Sequence, residues 1–172
     1  MLWRAETQET FDEAAAAQIQ ISTPRVLVPG PGLPEDLDIM ASNNNVDITR
    51  FNSDFYMAFR TAPTHFASAK TRLIVLRSAD RKSWQKETEI HLGDDLREPR
   101  FLVFKEKLFL YFFRAGSNPF GFQPKHIHMM QRQTDNSWTA PEKVWKPGYV
   151  VWRVRAHAGK AWMSVYHGAG IY

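Results

Sequence analysis

Apolar and polar residues alternate through most of the chain from residue 43 onward, and short polar segments interrupt the alternation. A period of two indicates β-strands, and the Asn, Asp, Ser and Lys of the interruptions favour tight turns. The pattern predicts two groups of four strands, at 45–51, 55–61, 71–78 and 84–91, then at 99–104, 108–114, 125–132 and 138–145. Residues 9–18 are instead rich in helix formers and predict a short N-terminal helix.

The two groups of strands are copies of one another. Phe51 and Phe104 stand 53 residues apart, and the aromatic segment 55–60 matches 109–114 at a separation of 54. A third copy runs over 153–167, shortly before the chain ends. Repeats of this length built from short strands are typical of a β-propeller, in which four-stranded sheets, called blades, surround a central axis.

The predicted fold is therefore all-β, an incomplete β-propeller of about two and a half four-stranded blades. A single β-sandwich is the rival interpretation, but it does not require the aromatic strand to recur. A closing strand is expected within Pro24–Gly30, which resembles the outer strand of the second repeat at 141–148. Because the third copy breaks off, we expect a fragment of a longer propeller or a truncated product. The predicted segments are an N-terminal helix and closing strand (1–42), blade one (43–93), blade two (94–147) and partial blade three (148–172).

Composition narrows the function classes. The chain is 44% hydrophobic and 13% aromatic, which favours a packed core, and it has no cysteine, which excludes disulfides and thiolate chemistry. The net charge of +4 comes from dispersed basic residues, whereas nucleic-acid binders cluster them. No apolar run is long enough to span a membrane, and the N-terminus lacks a secretory pattern. We expect a cytoplasmic protein without a nucleic-acid or membrane partner.

One pair of histidines raises the question of a metal. His126 and His128 lie on the same face of a predicted strand, an arrangement that some metal sites use. No third ligand is evident, so neither a metal site nor a cofactor is predicted.

Two short motifs resemble those of propeller glycosidases. The Ser-x-Asp-x-x-x-Trp turn at Ser78–Trp84 is similar to a turn common in those enzymes and to the sialidase Asp-box, whose Asp and Trp are usually structural. The segment Arg97-Glu98-Pro99 resembles the Arg-Asp-Pro segment of five-bladed fructosidase and arabinanase-type enzymes, with Glu98 in place of Asp. The resemblance implies a sialidase-like or five-bladed glycosidase-like propeller. Such hydrolases draw a general acid from the third blade, where this chain has Val151.

Propeller geometry brings two sets of residues to one face of the axis. The first set contains two groups of residues that are expected to be equivalent in the repeats: Asn45, Glu98 and Val151, and Asp47, Arg100 and Arg153. The second set contains one such group: Arg60, Arg114 and His167. A pair of carboxylates is the usual apparatus of glycoside cleavage, so Asp47 and Glu98 are the predicted catalytic residues. The predicted substrate-binding residues are polar or aromatic: Asn44, Asn45, Arg60, His65, Arg97, Arg100, Arg114, Trp152, Arg153 and His167.

The predicted ligand is a terminal sugar or another small anionic molecule. Arg97, Arg100 and Arg153 could grip a carboxylate, as a sialic acid requires, with Tyr149 or Tyr166 as the nucleophile. The sequence thus predicts a carbohydrate-active, glycoside hydrolase-like propeller. Two alternatives stay open: a non-catalytic carbohydrate- or metabolite-binding propeller, and an interaction propeller whose axial residues pair with one another.

Overall fold

The computed structural model describes residues 23–167 and the backbone of 170–171, and its regular structure is entirely β. The predicted helix at 9–18 lies outside the described residues. Among the described residues, no helix is long and apolar enough to cross a membrane. The strands are β1 (Ser42–Phe51), β2 (Asp54–Ala62), β3 (Arg72–Ser78), β4 (Gln85–Ile90), β5 (Asp95–Phe104), β6 (Lys107–Ala115), β7 (Pro124–Gln131), β8 (Glu142–Lys143), β9 (Val150–His157), β10 (Lys160–His167) and β11 (Gly170–Ile171).

The strands form three antiparallel sheets in chain order. Two sheets have four strands, ordered β1-β2-β3-β4 and β5-β6-β7-β8, and the third is ordered β11-β10-β9. This is the blade pattern of a β-propeller, so the predicted fold class is confirmed. Strand β8 is shorter than the predicted 138–145, because only Glu142 and Lys143 pair with β7 while Trp138 forms an isolated bridge with Arg132.

Two apolar layers hold the blades together. Tyr56 and Ala58 of blade one pack with Leu110 and Phe112 of blade two, whereas Phe113 of blade two packs against blade three. Neighbouring residues of a strand point to opposite faces, so β6 contributes to both layers. This explains why β6 reads as a nearly continuous apolar run in the sequence, the pattern of a strand buried on both faces.

The segment before β1 covers the outer face of blade one. The closing strand expected within Pro24–Gly30 is not formed, since residues 23–41 contain no strand. Four prolines lie in this stretch, and each lacks the N–H that a strand needs for pairing. The segment instead places apolar side chains, including Leu37 and Ile39, on a cluster that contains Phe59 and Trp84.

Candidate functional site

Each of the first two inner strands carries a β-bulge at its entry. The register shifts between Asn44 and Asp47 in β1 and between Arg97 and Arg100 in β5. Within the bulges, Asn45 (φ 51°) and Glu98 (φ 52°) adopt left-handed backbone. Bulges re-aim side chains, and such backbone outside glycine is concentrated at functional sites. Here the two side chains meet across the blades, because Asn45 Nδ2 donates to Glu98 Oε1.

Glu98 is held on both carboxylate oxygens. Asn45 binds Oε1, and Arg100 Nη2 donates to Oε2 at 2.5 Å. The Nε of Arg100 also donates to the carbonyl of Trp152 at 2.9 Å, which links blade two to blade three. The carboxylate therefore has a fixed orientation, and the Glu98 side chain keeps 17% of its surface exposed.

Asp47 makes the corresponding link between blades one and two. Its Oδ2 accepts a hydrogen bond from the backbone N–H of Phe101 at 2.6 Å. Burial raises the pKa of Asp47, while that N–H and the charges of Arg100 and Arg153 act in the opposite direction. The carboxyl thus lies within electrostatic reach of both arginines.

Three consecutive amide oxygens at the entry of β1 have no hydrogen-bond partner among the described residues. They are the buried Oδ1 atoms of Asn43, Asn44 and Asn45. The amide nitrogens are occupied, with Asn43 Nδ2 donating to the Met40 carbonyl and Asn44 Nδ2 donating to Ser42 Oγ. A buried acceptor without a partner costs about 1–3 kcal/mol. Each of these oxygens is closed off from solvent, so an ordered water between the side chains is the partner that suits it.

His65 and Arg97 extend the polar surface beside this cluster. His65 is exposed on the β2–β3 loop, with its Nδ1 3.3 Å from Asn44 Nδ2. Its carbonyl accepts from Arg97 Nη2 at 2.8 Å, and Arg97 Nε also pairs with Asp95. Arg97 thus uses several of its donors within the protein.

Arg60 is structural, which corrects its prediction as a ligand residue. Its side chain is fully buried and pairs with Asp95 at 2.8 Å. It also donates to the carbonyls of Thr64 and Phe66, while Thr71 Oγ1 donates to the same carboxylate oxygen of Asp95. A buried guanidinium cannot reach a ligand in solvent. Sequence reasoning missed Asp95, whose only signal was an acidic residue two positions before the Arg97 motif.

Backbone pairing also corrects the predicted equivalence of Arg60, Arg114 and His167. Asn44 pairs with Arg60, Arg97 with Phe113, and Val150 with Tyr166, so the repeat is 53 residues in β2, β6 and β10 alike. Arg60 therefore corresponds to Phe113 and Tyr166. The match at 54 residues was one position out of register. In a strand, a shift of one residue assigns each side chain to the wrong face of the sheet.

Arg114 and His167 are equivalent to each other under the corrected register. The contacts described for these two residues do not include Glu98. Arg114 Nε pairs with Asp94 at 2.6 Å, and Lys125 pairs with the same carboxylate. His167 is exposed, and its ring lies 5.0 Å from that of Tyr149. Arg114 therefore anchors the β4–β5 connection, which joins blade one to blade two.

The third blade contributes an exposed aromatic residue and a cation. Trp152 is exposed, and its ring lies edge-on to Tyr166 at 5.9 Å. Arg153 is exposed and forms no ion pair with any described residue. Burial raises the pKa of Tyr166, which opposes its use as a phenolate nucleophile.

The Ser78–Trp84 turn is structural, as its resemblance implied. Ser78 Oγ accepts from the N–H of Arg81, and Asp80 Oδ1 accepts from the N–H groups of Lys82 and Ser83. The hydrogen bond from the N–H of Ser83, followed by that from Lys82, lowers the pKa of Asp80. Trp84 is buried in the cluster on the outer face of blade one.

The two histidines of β7 lie inside the second blade. The ring of His128 stacks on Phe112 at 5.5 Å, and burial lowers the pKa of both His126 and His128. Within residues 23–167, no group of three or more His, Asp or Glu side chains is placed to hold a metal ion.

Comparison with known proteins gives only distant similarity. No family model matches the chain, and no curated protein does. Among solved structures, the Bombyx mori GH32 β-fructofuranosidase BmSUC1 matches 70% of this chain at 13% identity with a TM-score of 0.45. A mutant of that enzyme in complex with sucrose matches 70% of the chain at 12% identity with a TM-score of 0.43. The chain spans 28% of the length of each.

Proposed function

We propose that the axial face binds a sugar, in a propeller of the glycoside hydrolase-like type, with Glu98 as the central acceptor. The observation that carries this proposal is the carboxylate of Glu98, which is fixed by Asn45 and Arg100 and stays partly exposed at the entry of β5. Sugar hydroxyls donate hydrogen bonds, and a fixed, partly exposed carboxylate is suited to receive them.

The arginine contacts favour a neutral sugar over an acidic one. Arg97 is paired with Asp95 and a carbonyl, and Arg100 with Glu98 and two carbonyls. A sialic acid would need two or three arginines with free donors aimed at its carboxylate. Arg153 alone of the three has no ion pair among the described residues, so a sialidase-like clamp is the less supported form of the proposal.

Replacing Glu98 by glutamine is expected to weaken sugar binding by about ten- to a hundredfold, the range for losing a hydrogen bond to a charged group. Binding of fructose, arabinose, galactose and N-acetylneuraminic acid is measured by calorimetric titration of the full chain. Glu106→Gln is the matched control, because Glu106 is an exposed carboxylate at the opposite end of β5. Equal affinities of wild type and Glu98→Gln would contradict the proposal.

Hydrolysis is a second candidate function, and the raised pKa of Asp47 favours it. A general acid must be protonated to donate, so turnover should fall as pH rises through the pKa of Asp47. Against this candidate, Val151 is fully buried and apolar at the position equivalent to Glu98. The geometry therefore supports recognition of a sugar more strongly than its cleavage.

If the protein is a hydrolase, Asp47→Asn is expected to reduce turnover by about a hundredfold or more. The measurement is release of nitrophenol from a panel of nitrophenyl glycosides over a range of pH. Asp38→Asn, at an exposed carboxylate before β1, serves as the control. Turnover that is unchanged in Asp47→Asn would remove Asp47 from the catalytic role, and binding without any turnover would leave a lectin-like propeller.

A further inference from the structure

A cleft of about 460 Å³ opens beside the axial residues. It lies between the β2–β3 loop and the β6–β7 loop, and its lining includes the polar side chains of His65, Arg97 and Asn118. Three phenylalanines also line it, and all three are largely exposed: Phe66 at 63%, Phe120 at 95% and Phe122 at 62%. A cluster of exposed aromatic rings around one cleft is typical of a binding surface.

Both loops are held in place by contacts that do not depend on a ligand. The buried Arg60 donates to the carbonyl of Phe66, and Arg97 donates to that of His65. In the second loop, the N–H of Gly116 donates to the Gln123 carbonyl at 2.8 Å. A ligand would therefore meet loops whose backbone is already positioned, which reduces the entropy lost on binding.

Local contacts position the backbone at Phe120 and the ring of Phe122. Asn118 Oδ1 accepts from the N–H of Phe120 at 3.0 Å, which fixes the backbone of the loop tip. Phe122 packs edge-on against the buried Phe113, with ring centroids 6.0 Å apart. The exposed faces of these rings are thus presented by a defined loop.

Two residues that line the cleft are neighbours of axial residues. Arg97 lines the cleft and is followed directly by Glu98, and the charges of both act on Tyr166. On the other loop, His65 lines the cleft and contacts Asn44, which precedes Asn45. A ligand larger than one sugar ring that is bound at Glu98 would therefore extend between the two loops.

We propose that this cleft holds the second ring of an oligosaccharide whose terminal sugar is bound at Glu98. The inference rests on the proposed function and names its substrate class as an oligosaccharide. A sugar ring has apolar C–H faces and a polar edge. The cleft offers aromatic rings for the faces and the side chains of His65, Arg97 and Asn118 for the hydroxyls.

The test compares the binding of ligands that have one sugar ring with the binding of ligands that have two. The probes are three matched pairs: methyl fructofuranoside and sucrose, methyl arabinofuranoside and arabinobiose, and methyl galactoside and lactose. For the pair that binds, the disaccharide is expected to bind about three- to tenfold more tightly, the range for contacts of aromatic rings. Phe66→Ala and Phe120→Ala should each reduce that advantage and leave the affinity for the methyl glycoside unchanged. Trp162→Ala, which removes an exposed aromatic residue from blade three, should change neither.

The outcomes separate the two proposals. If both members of a pair bind with equal affinity, or if the advantage survives in Phe66→Ala and Phe120→Ala, the cleft has no such role while the axial site stands. If no member of any pair binds to the wild-type chain, the axial proposal fails, and the inference about the cleft fails with it.

Discussion

Asparagine in place of Asp95 is expected to lower the free energy of unfolding by about 3–5 kcal/mol, the range for breaking a buried ion pair. The carboxylate accepts from Arg60, Thr71 and Arg97, and the first two are fully buried. Asparagine keeps an amide oxygen that can still accept from Arg60 and Thr71, but it removes the negative charge that balances the fully buried guanidinium. The measurement is urea denaturation followed by tryptophan fluorescence.

Asp38→Asn is the matched control for this change. Asp38 forms an ion pair with Arg72 but is largely exposed, so its loss should cost less than about 1 kcal/mol. The double variant Arg60→Met with Asp95→Asn should recover part of the loss, because it removes the uncompensated buried charge. A shift of less than 1 kcal/mol for Asp95→Asn alone would show that the pair does not stabilise the fold.

The pair also has a functional consequence. Arg60 and Arg97 fix the β2–β3 loop through its backbone carbonyls, and that loop carries His65 and Phe66. One buried carboxylate, Asp95, orients both arginines. The carboxylate of Asp95 therefore contributes both to the contact between blades one and two and to the shape of the proposed ligand cleft.

Most of the blade architecture could be predicted from the sequence. The alternation of polar and apolar residues and the recurrence of Phe51 at Phe104 gave the strands and their grouping, because both patterns record which faces are buried. The Ser78–Trp84 turn was also predictable, since its hydrogen bonds are local. The segment before β1 was not, because its apolar residues fit either a strand or a covering loop.

The candidate site was predictable only in part. Asp47 and Glu98 follow from their positions in the repeat, which are independent of side-chain packing. The role of Arg60 was not predictable, because its partner lies 35 residues away on another blade. The aromatic run in β6 allowed two alignments that differ by one residue, and only the backbone pairing of Phe113 with Arg97 decides between them.

Truncation of Phe112 to alanine is expected to cost about 3–5 kcal/mol of unfolding free energy, because the change leaves a cavity in a packed core. Phe112 is fully buried in the layer between blades one and two, where its ring stacks on His128. If the blades pack as one unit, the variant should unfold at lower urea concentration in a single transition. Two separate transitions would mean that the blades unfold independently.

Phe120→Ala provides the control, since it makes the same chemical change at a ring that is 95% exposed. It should shift the free energy of unfolding by no more than about 0.5 kcal/mol. A small shift for Phe120→Ala beside a large one for Phe112→Ala would place the Phe112 ring in the core and show that the Phe120 ring contributes little to stability. Equal shifts in the two variants would contradict both the layered packing of the blades and the use of Phe120 as a probe of the cleft.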